Sequence, residues 1–325
     1  MKKISKLAIA GISIVLVVLL SFSITNVNLI ERRIPIGTPE CNSSRVFSGE
    51  SAYEEVLIQV SFGPRNPGSK GHSDLQDYLK LMLSDYGFTV EVQPFVHKLS
   101  NGSSLTLQNI VAKKGNESNG ILLLGAHYDT RPISENDEDP EKRNLPISGA
   151  NDGASGVAVL LELAKLNSKV DPNIGLWLLF FDAEDIGGVY GPYSLGASTY
   201  VSTLEDELIP LIKGVIIVDM VGDSNLEIFY ERNSHNGLSR EFTEQIWAIG
   251  SNLGYSSYFV PEVKHNVIDD HIPFLQKGLP TTLIIDFDYD YWHTQQDTID
   301  RVSPSSLQIV GRVLAKSIEV ICSSG

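Results

Sequence analysis

Cysteine is nearly absent from this chain: two residues, Cys41 and Cys322, in 325. Two thiols cannot build a Cys-rich zinc module or a disulfide scaffold, although in an oxidising compartment they could join the entry segment to the last helix. Basic residues are also scarce, with 25 Lys and Arg against 40 Asp and Glu and a formal net charge of -15. A surface this acidic repels phosphate backbones, which excludes nucleic acid as an expected partner. Nucleophile signatures are missing as well. No Gly-x-Ser-x-Gly elbow occurs, the nearest approach being Gly153-Ala-Ser-Gly156, and neither cysteine lies near that segment. A phosphate-cradling glycine loop with its lysine is absent, and so is any internal repeat.

What is present begins at the N-terminus. Lys2, Lys3 and Lys6 precede an uncharged stretch from Leu7 to Ile30, of which Leu7 to Ile24 is dominated by Leu, Val and Ile. Spanning a bilayer takes roughly 20 apolar residues, so this is either a signal-anchor helix or the apolar core of a cleavable signal peptide. Its length, and the lack of a small-x-small cleavage site after it, favour a retained anchor. The lysines keep that end in the cytoplasm, against a weaker pull from Arg32 and Arg33. The rest of the chain is then expected outside the cytoplasm, tethered to the membrane, or secreted if the segment is cleaved. Composition divides the chain into an anchor or signal segment over 1–30 and a polar linker over 31–48, with Pro35, Gly37 and Pro39. One globular domain follows over 49–325, expected to be monomeric.

Apolar residues recur at helical spacing over Gly49–Phe62 and His72–Tyr86, the latter through Leu75, Tyr78, Leu79, Met82 and Leu83. Between them, Phe62-Gly-Pro-Arg-Asn-Pro-Gly-Ser69 is too rich in Pro and Gly for regular structure. Phe88–Phe95 and Leu105–Ala112 alternate as strands, joined through a turn at Asn101-Gly102. Ile121–Ala126 is a continuous apolar run, the mark of a strand buried on both faces. Leu176–Phe181 and Val215–Val218 repeat that pattern, and Ile228–Tyr230 is a candidate short fourth. Helices over Val157–Leu166, Leu238–Leu253 and Pro304–Cys322 and a strand over Thr281–Ile285 complete the series. Such alternation predicts an α/β domain, a mixed, mostly parallel twisted sheet with helices on both faces. The stretch Glu135–Glu141 carries five carboxylates in seven residues; it reads as a solvated loop, with cation binding as the lesser alternative.

In sheets of this kind ligands sit beyond the carboxyl ends of the strands. The residues at those positions agree with one another. His127 and Asp129 follow the first buried strand, and Asp152 stands at the start of the next helix, in Gly149-Ala-Asn-Asp-Gly-Ala-Ser-Gly156. Asp182, Glu184 and Asp185 follow the second strand, in Phe180-Phe-Asp-Ala-Glu-Asp185. Asp219 follows the third, and His293 lies in Tyr291-Trp-His-Thr294. Oxygen and nitrogen ligands without thiolate suit zinc, with three protein ligands and one open position. Of the adjacent Glu184 and Asp185, one can ligate while the other works as a base, the division that metal-assisted hydrolysis or acyl transfer requires. Each residue also has a plainer reading. Asp152 could cap its helix, Glu184 and Asp185 could form a solvated turn, and His127 could be a hydrogen-bonded strand end. His293 beside Trp292 would by itself be structural, and Asp129 and Asp182 suit support of ligands better than ligation.

The segments 62–69, 149–156, 180–185, Asp269-Asp-His-Ile-Pro-Phe274 and 291–294 together carry a resemblance that runs from about Phe62 to the C-terminus. By them the chain resembles the zinc-dependent exopeptidases that include the co-catalytic aminopeptidases (metallopeptidase family twenty-eight) and the glutaminyl-peptide cyclotransferases. It is more similar to the cyclotransferase branch, particularly the microbial form. That branch implies one zinc held by Asp152, Asp185 and His293, with Glu184 as general acid/base. It also implies Asp219 and Asp269 hydrogen-bonding near the substrate amine, and Trp292 walling the pocket. The substrates implied are peptide or protein N-termini, with an N-terminal Gln converted to pyroglutamate and ammonia released. The aminopeptidase branch implies hydrolysis of the N-terminal residue with two zinc ions, His127 and Asp219 joining Asp152 around the second. Both of those residues are present, so residue identity alone leaves the two activities open. The sequence departs from animal cyclotransferases at Asp185, where they carry glutamate, and near Tyr190, where they carry tryptophan. A third reading, a catalytically silent membrane-tethered binding domain, is opposed by the intact Glu184 and a full ligand set.

Overall fold

The computed structural model describes residues 46–169 and 172–323. Helices α1 (Gly49–Ser61) and α2 (Lys70–Asp85) come first. Each opens on a serine whose side chain accepts a first-turn N–H, Ser48 from Ser51 and Ser69 from His72, both at 3.1 Å. Phe47, which composition places in the linker, is buried in the core, and its carbonyl accepts the Gln308 amide at 2.6 Å. The anchor or signal segment expected over 1–30 lies outside the described residues. Among the described residues no helix is long and apolar enough to cross a membrane. Cys41, which could bridge to Cys322 or equally be an unrelated free thiol, also lies outside them.

Strands β1 (Thr89–Lys98) and β2 (Ser104–Lys114) form the antiparallel hairpin expected around Asn101-Gly102. There Gly102 has φ 86° and the Asn101 side chain accepts the Ser103 N–H at 2.9 Å. Next come β3 (Ile121–His127), α3 (Ala154–Leu166), β4 (Gly175–Phe181), α4 (Leu195–Ser202) and β5 (Ile212–Asp219). They are followed by β6 (Ile228–Glu231), α5 (Ser239–Asn252), β7 (Phe259–His265), α6 (His271–Gln276), β8 (Thr281–Ile285) and α7 (Pro304–Ser323). The main sheet runs β1-β2-β4-β3-β5-β8. The β2–β4 pair is antiparallel, whereas β4, β3, β5 and β8 pair in parallel.

The continuous apolar runs of β3 and β4 follow from burial on both faces. Leu122, Leu124 and Ala126 pack with Val56 of α1, Leu79 of α2, Leu160 of α3, Ile246 of α5 and Val313 of α7. Leu123, Leu179 and Phe181 point the other way and pack with Tyr200 of α4 and Phe274 of α6. Each such fully buried Leu or Phe contributes about 1.5–3 kcal/mol, and the β3 and β4 side chains share that burial between both faces. Two features depart from the sequence reading. Ile228–Tyr230 is no fourth strand of the main sheet: as β6 it pairs in parallel with β7 in a separate two-stranded sheet. The strand β7 and the helices α4 and α6 were not anticipated. β7 carries Pro261 and faces solvent along most of its length, while α4 and α6 have 8 and 6 residues, too few for a helical period to register.

Candidate active site

The parallel strands deliver the candidate residues to one end of the sheet. His127 is the last residue of β3 and Asp219 the last of β5; Glu184 and Asp185 follow β4, and His293 lies in the loop after β8. Asp152 sits just before α3. It does not cap that helix: the N-cap is Gly153, with no side-chain bond. Two groups of metal-competent atoms form here, His127–Asp152–Asp219 and Asp152–Asp185–His293, the atoms of each lying within 4.8 Å of one another. Asp152 belongs to both. His127 Nε2 is 3.2 Å from Asp152 Oδ1 and 3.1 Å from Asp219 Oδ1. His293 Nε2 is 3.1 Å from Asp185 Oδ1 and 3.7 Å from Asp152 Oδ2.

Asp152 Oδ2 and Asp185 Oδ2 are buried without a hydrogen-bond partner. A buried carboxylate oxygen with no donor is costly, and two such carboxylates grouped with an imidazole fit a cation. The donor set, two carboxylates and one imidazole with no thiolate, fits zinc with an open fourth position.

The backbone around these residues is held by buried polar groups, two of which, Asp297 and Arg65, sequence reading did not pick out. Asp129 accepts the N–H of Glu184 at 3.0 Å and of Asp185 at 3.1 Å, one on each oxygen, which matches its expected supporting role. Asp182 likewise accepts the Gln108 N–H at 2.8 Å and pairs with His72 Nε2 at 2.7 Å. Asp297 accepts the N–H of Asn151 at 2.9 Å and of Asp152 at 3.2 Å, so the loop bearing His293 clasps the loop bearing Asp152. From the other side Arg65, fully buried in the Pro/Gly-rich segment, donates to the carbonyls of Ser148 (2.7 Å) and Gly149 (2.6 Å). A Cβ on Gly153 would stand 2.5 Å from the His127 ring, so only glycine lets the chain turn there. Ala183, Met220 and His293 hold positive φ (58°, 45° and 56°), each at or beside a candidate site residue. Local strain of that kind is kept where the surrounding structure fixes a functional geometry.

The acidic run 135–141 is not uniformly solvated, which corrects that expectation. Asp137 is buried and accepts the N–H of Gln295 and of Asp139, both at 2.9 Å, and Glu135 reaches the site.

Electrostatically, burial pushes the Glu184 carboxyl well above its usual range; His127 opposes the shift, while Asp185, Asp269 and Asp270 add to it. Burial likewise raises Asp219 against the pull of His127, and with the charge of Asp219 it raises Asp269 to about 7. Burial works against a charged His293, yet Asp185, Glu135 and Asp152 outweigh it and lift the ring to about 10. For His127 the same contest is won by Asp219, Asp129 and Asp152, well above the imidazole range. This much like charge stays ionised only with positive charge among it. Protonated His127 and His293 would supply that charge, and a dication would do so in their place.

Glu184, Asp219 and Asp269 line a cavity of about 40 Å³, together with Asp152, Asp185 and His293. Its apolar wall includes Met220, Ile268, Phe287 and Trp292, the last stacked on His293 at 3.9 Å. Tyr193, rather than Tyr190, reaches this cavity. Asp269 is placed by a network centred on Glu231, which is buried at the end of β6. Glu231 accepts Val267 N–H at 3.2 Å, Ser234 N–H at 2.8 Å and His271 Nε2 at 3.1 Å. Burial opposes its charge, but His271 and the backbone donors hold its carboxyl down at about 2 against an ordinary 4.5. A depressed carboxyl stabilises the fold above its unfolded value and loses that contribution as pH falls toward its folded one. Glu231→Gln is therefore expected to cost about 2–3 kcal/mol near neutral pH. The gap to wild type should close between pH 4.5 and about 2. Urea unfolding across that range checks it; equal stability at neutral pH would contradict the assignment.

The profile of peptidase family M28 matches residues 109–318. The glutaminyl-peptide cyclotransferase-like protein of Mus musculus is 28% identical over 282 residues, covering 77% of this chain and 70% of the mouse protein. The solved structure of Bacteroides thetaiotaomicron glutaminyl cyclase bound to N-acetylhistamine superposes with a TM-score of 0.79 at 32% identity, over 84% of this chain and 98% of that one. A leucine aminopeptidase precursor from the same species superposes with a TM-score of 0.80 at 32% identity, over 85% and 98%.

Proposed function

The chain belongs to peptidase family M28, and within that family we propose that it is a zinc-dependent glutaminyl-peptide cyclotransferase, converting N-terminal Gln of peptides to pyroglutamate with release of ammonia. The observation that carries this reading is the convergence of three carboxylates, Glu184, Asp219 and Asp269, with one ligand trio in a single small, aromatic-walled cavity. Asp152, Asp185 and His293 would hold the metal. Bound there, zinc would act as a Lewis acid on the γ-carbonyl of the substrate glutamine.

The remaining work falls to the chain's own residues. Asp219 and Asp269 accept hydrogen bonds from the substrate α-amine and hold it against its own side chain, so the attack is intramolecular. Glu184, its carboxyl raised by burial, takes a proton from the attacking amine and returns it to the departing nitrogen, which leaves as ammonia. Trp292 and Phe287 wall the side chain and exclude water, which the reaction does not consume.

A second reading, a two-metal aminopeptidase, is favoured by the group His127–Asp152–Asp219 and by the likeness to the aminopeptidase precursor. Against it, His127 lies within hydrogen-bond reach of both Asp152 and Asp219, so an imidazolium can bridge the carboxylates that a second ion would need. The test is to incubate the zinc-loaded protein with Gln-initiated and Leu-initiated peptides and follow the products by mass. Loss of ammonia from the Gln peptide, with the Leu peptide intact, is expected. Release of free Leu would overturn the cyclotransferase reading in favour of the aminopeptidase.

We further propose that the protein acts outside the cytoplasm, tethered through residues 1–30 or secreted, on the strength of the charge and hydropathy of that segment.

A further inference from the structure

Nothing in the sequence separates Glu135 from the other carboxylates of the acidic run, yet in the fold it leaves them. Its Oε1 accepts from His293 Nδ1 at 3.0 Å and from Arg131 Nη2 at 2.5 Å, and Arg131 Nε lies 2.9 Å from the same oxygen. Arg131 is buried. Its other terminal nitrogen, Nη1, donates to the carbonyls of Asp185 (2.9 Å) and Gly187 (2.7 Å). His293 Nε2, on the far side of the ring, stands 3.1 Å from Asp185 Oδ1. These contacts close a circuit: Asp185 side chain, His293, Glu135, Arg131 and the Asp185 backbone. It ties the turn after β4 to the loop after β8 at the point where each presents a candidate ligand.

An exposed Arg–Glu pair at i,i+4 would be worth little and would need no further account. This one differs in that the Arg131 side chain is 4% exposed and its remaining nitrogen, Nη1, braces the site through two backbone carbonyls. The chemistry on His293 is also specific. An imidazole offers a lone pair on Nε2 when the proton rests on Nδ1, and a carboxylate facing Nδ1 keeps it there. His293 stands in no helix or strand and has φ 56°, and Trp292 stacks on its ring. Glu135 is the group that sets which nitrogen faces Asp152 and Asp185.

We propose that Glu135, braced by Arg131, is a positioning residue for the metal centre, holding His293 with Nε2 presented to the ion and fixing its distance from Asp185. This rests on the reading of Asp152, Asp185 and His293 as the ligand set. The test is the zinc dissociation constant of the full chain, measured by competition with a chromophoric chelator. Thermal unfolding of the zinc-free protein is followed in parallel. Glu135→Ala is expected to weaken zinc binding about 10–100-fold and, because it strips the carboxylate from the buried Arg131, to lower zinc-free unfolding as well, so the zinc affinity of the folded variant is the readout. Glu135→Gln keeps an oxygen for the Nδ1 proton without the charge, so its loss should be smaller. Glu138→Gln, in the same run but exposed, should bind as wild type does. Wild-type affinity in Glu135→Ala would overturn the proposal, and if that variant fails to fold, wild-type affinity in Glu135→Gln together with Arg131→Lys would do so. Tight zinc binding in Asp185→Ala would instead strike the ligand set itself, and the positioning role with it.

Discussion

Glu184→Gln is expected to lower turnover of a Gln-initiated peptide by about 10²–10⁴-fold, while the zinc content and the unfolding temperature stay those of wild type. The amide matches the carboxylate in shape but neither takes the proton from the attacking amine nor returns it to the departing nitrogen. Glu184 is held in the site by its backbone: its N–H bonds to Asp129, and its carbonyl accepts from Ser194. The substitution touches neither bond. Its carboxyl is raised by burial and by Asp185, Asp269 and Asp270, so the pocket favours a neutral group and accepts the isosteric amide without unfolding the loop. Steady-state kinetics beside metal analysis checks this. Retention of more than a tenth of wild-type turnover would remove Glu184 from the proton path.

Asp152→Ala should have the larger effect still: no stoichiometric zinc and no measurable turnover. Asp152 is the one residue common to both groups of candidate ligands, so its loss disables a one-metal and a two-metal site alike. One of its oxygens is buried without a hydrogen-bond partner, which suits coordination. Ligand binding stabilises the folded state by mass action, so zinc should raise the unfolding temperature of wild type and leave that of the variant unmoved. A zinc-dependent shift of wild-type size in Asp152→Ala would place the metal elsewhere. Chelation of wild type should reproduce the loss, and added zinc should reverse it.

How far the sequence foreshadowed this site depends on the kind of interaction. Strand ends were legible because β3, β4 and β5 are buried on both faces, so their apolar runs stop where the chain leaves the sheet. His127, Asp185 and Asp219 stand at or just past those stops. The family motifs placed Asp152 and His293, which no periodicity marks, and the structure brings both to the same cavity. Illegible were the groups whose role exists only across space. Glu135 is one of five carboxylates until His293, 158 residues away, arrives at its oxygen. Arg65 reads as part of a loop until its guanidinium meets carbonyls more than 80 residues on. Asp297 and Glu231 are of the same kind: buried acceptors of backbone N–H groups, whose partners are fixed by packing and not by local spacing. The short elements α4, α6 and β7 escaped for a different reason, since tertiary contacts hold segments that carry too little pattern of their own.

The central claim is that the substrate's own amine, and not water, attacks the carbonyl. It is tested most directly by running the reaction in heavy-oxygen water. Cyclisation consumes no water, so the pyroglutamyl product should carry no label while ammonia is released in equal amount. Label in the carboxyl of a freed N-terminal residue, or in a glutamate formed by deamidation, would show that water is the nucleophile and would contradict the account.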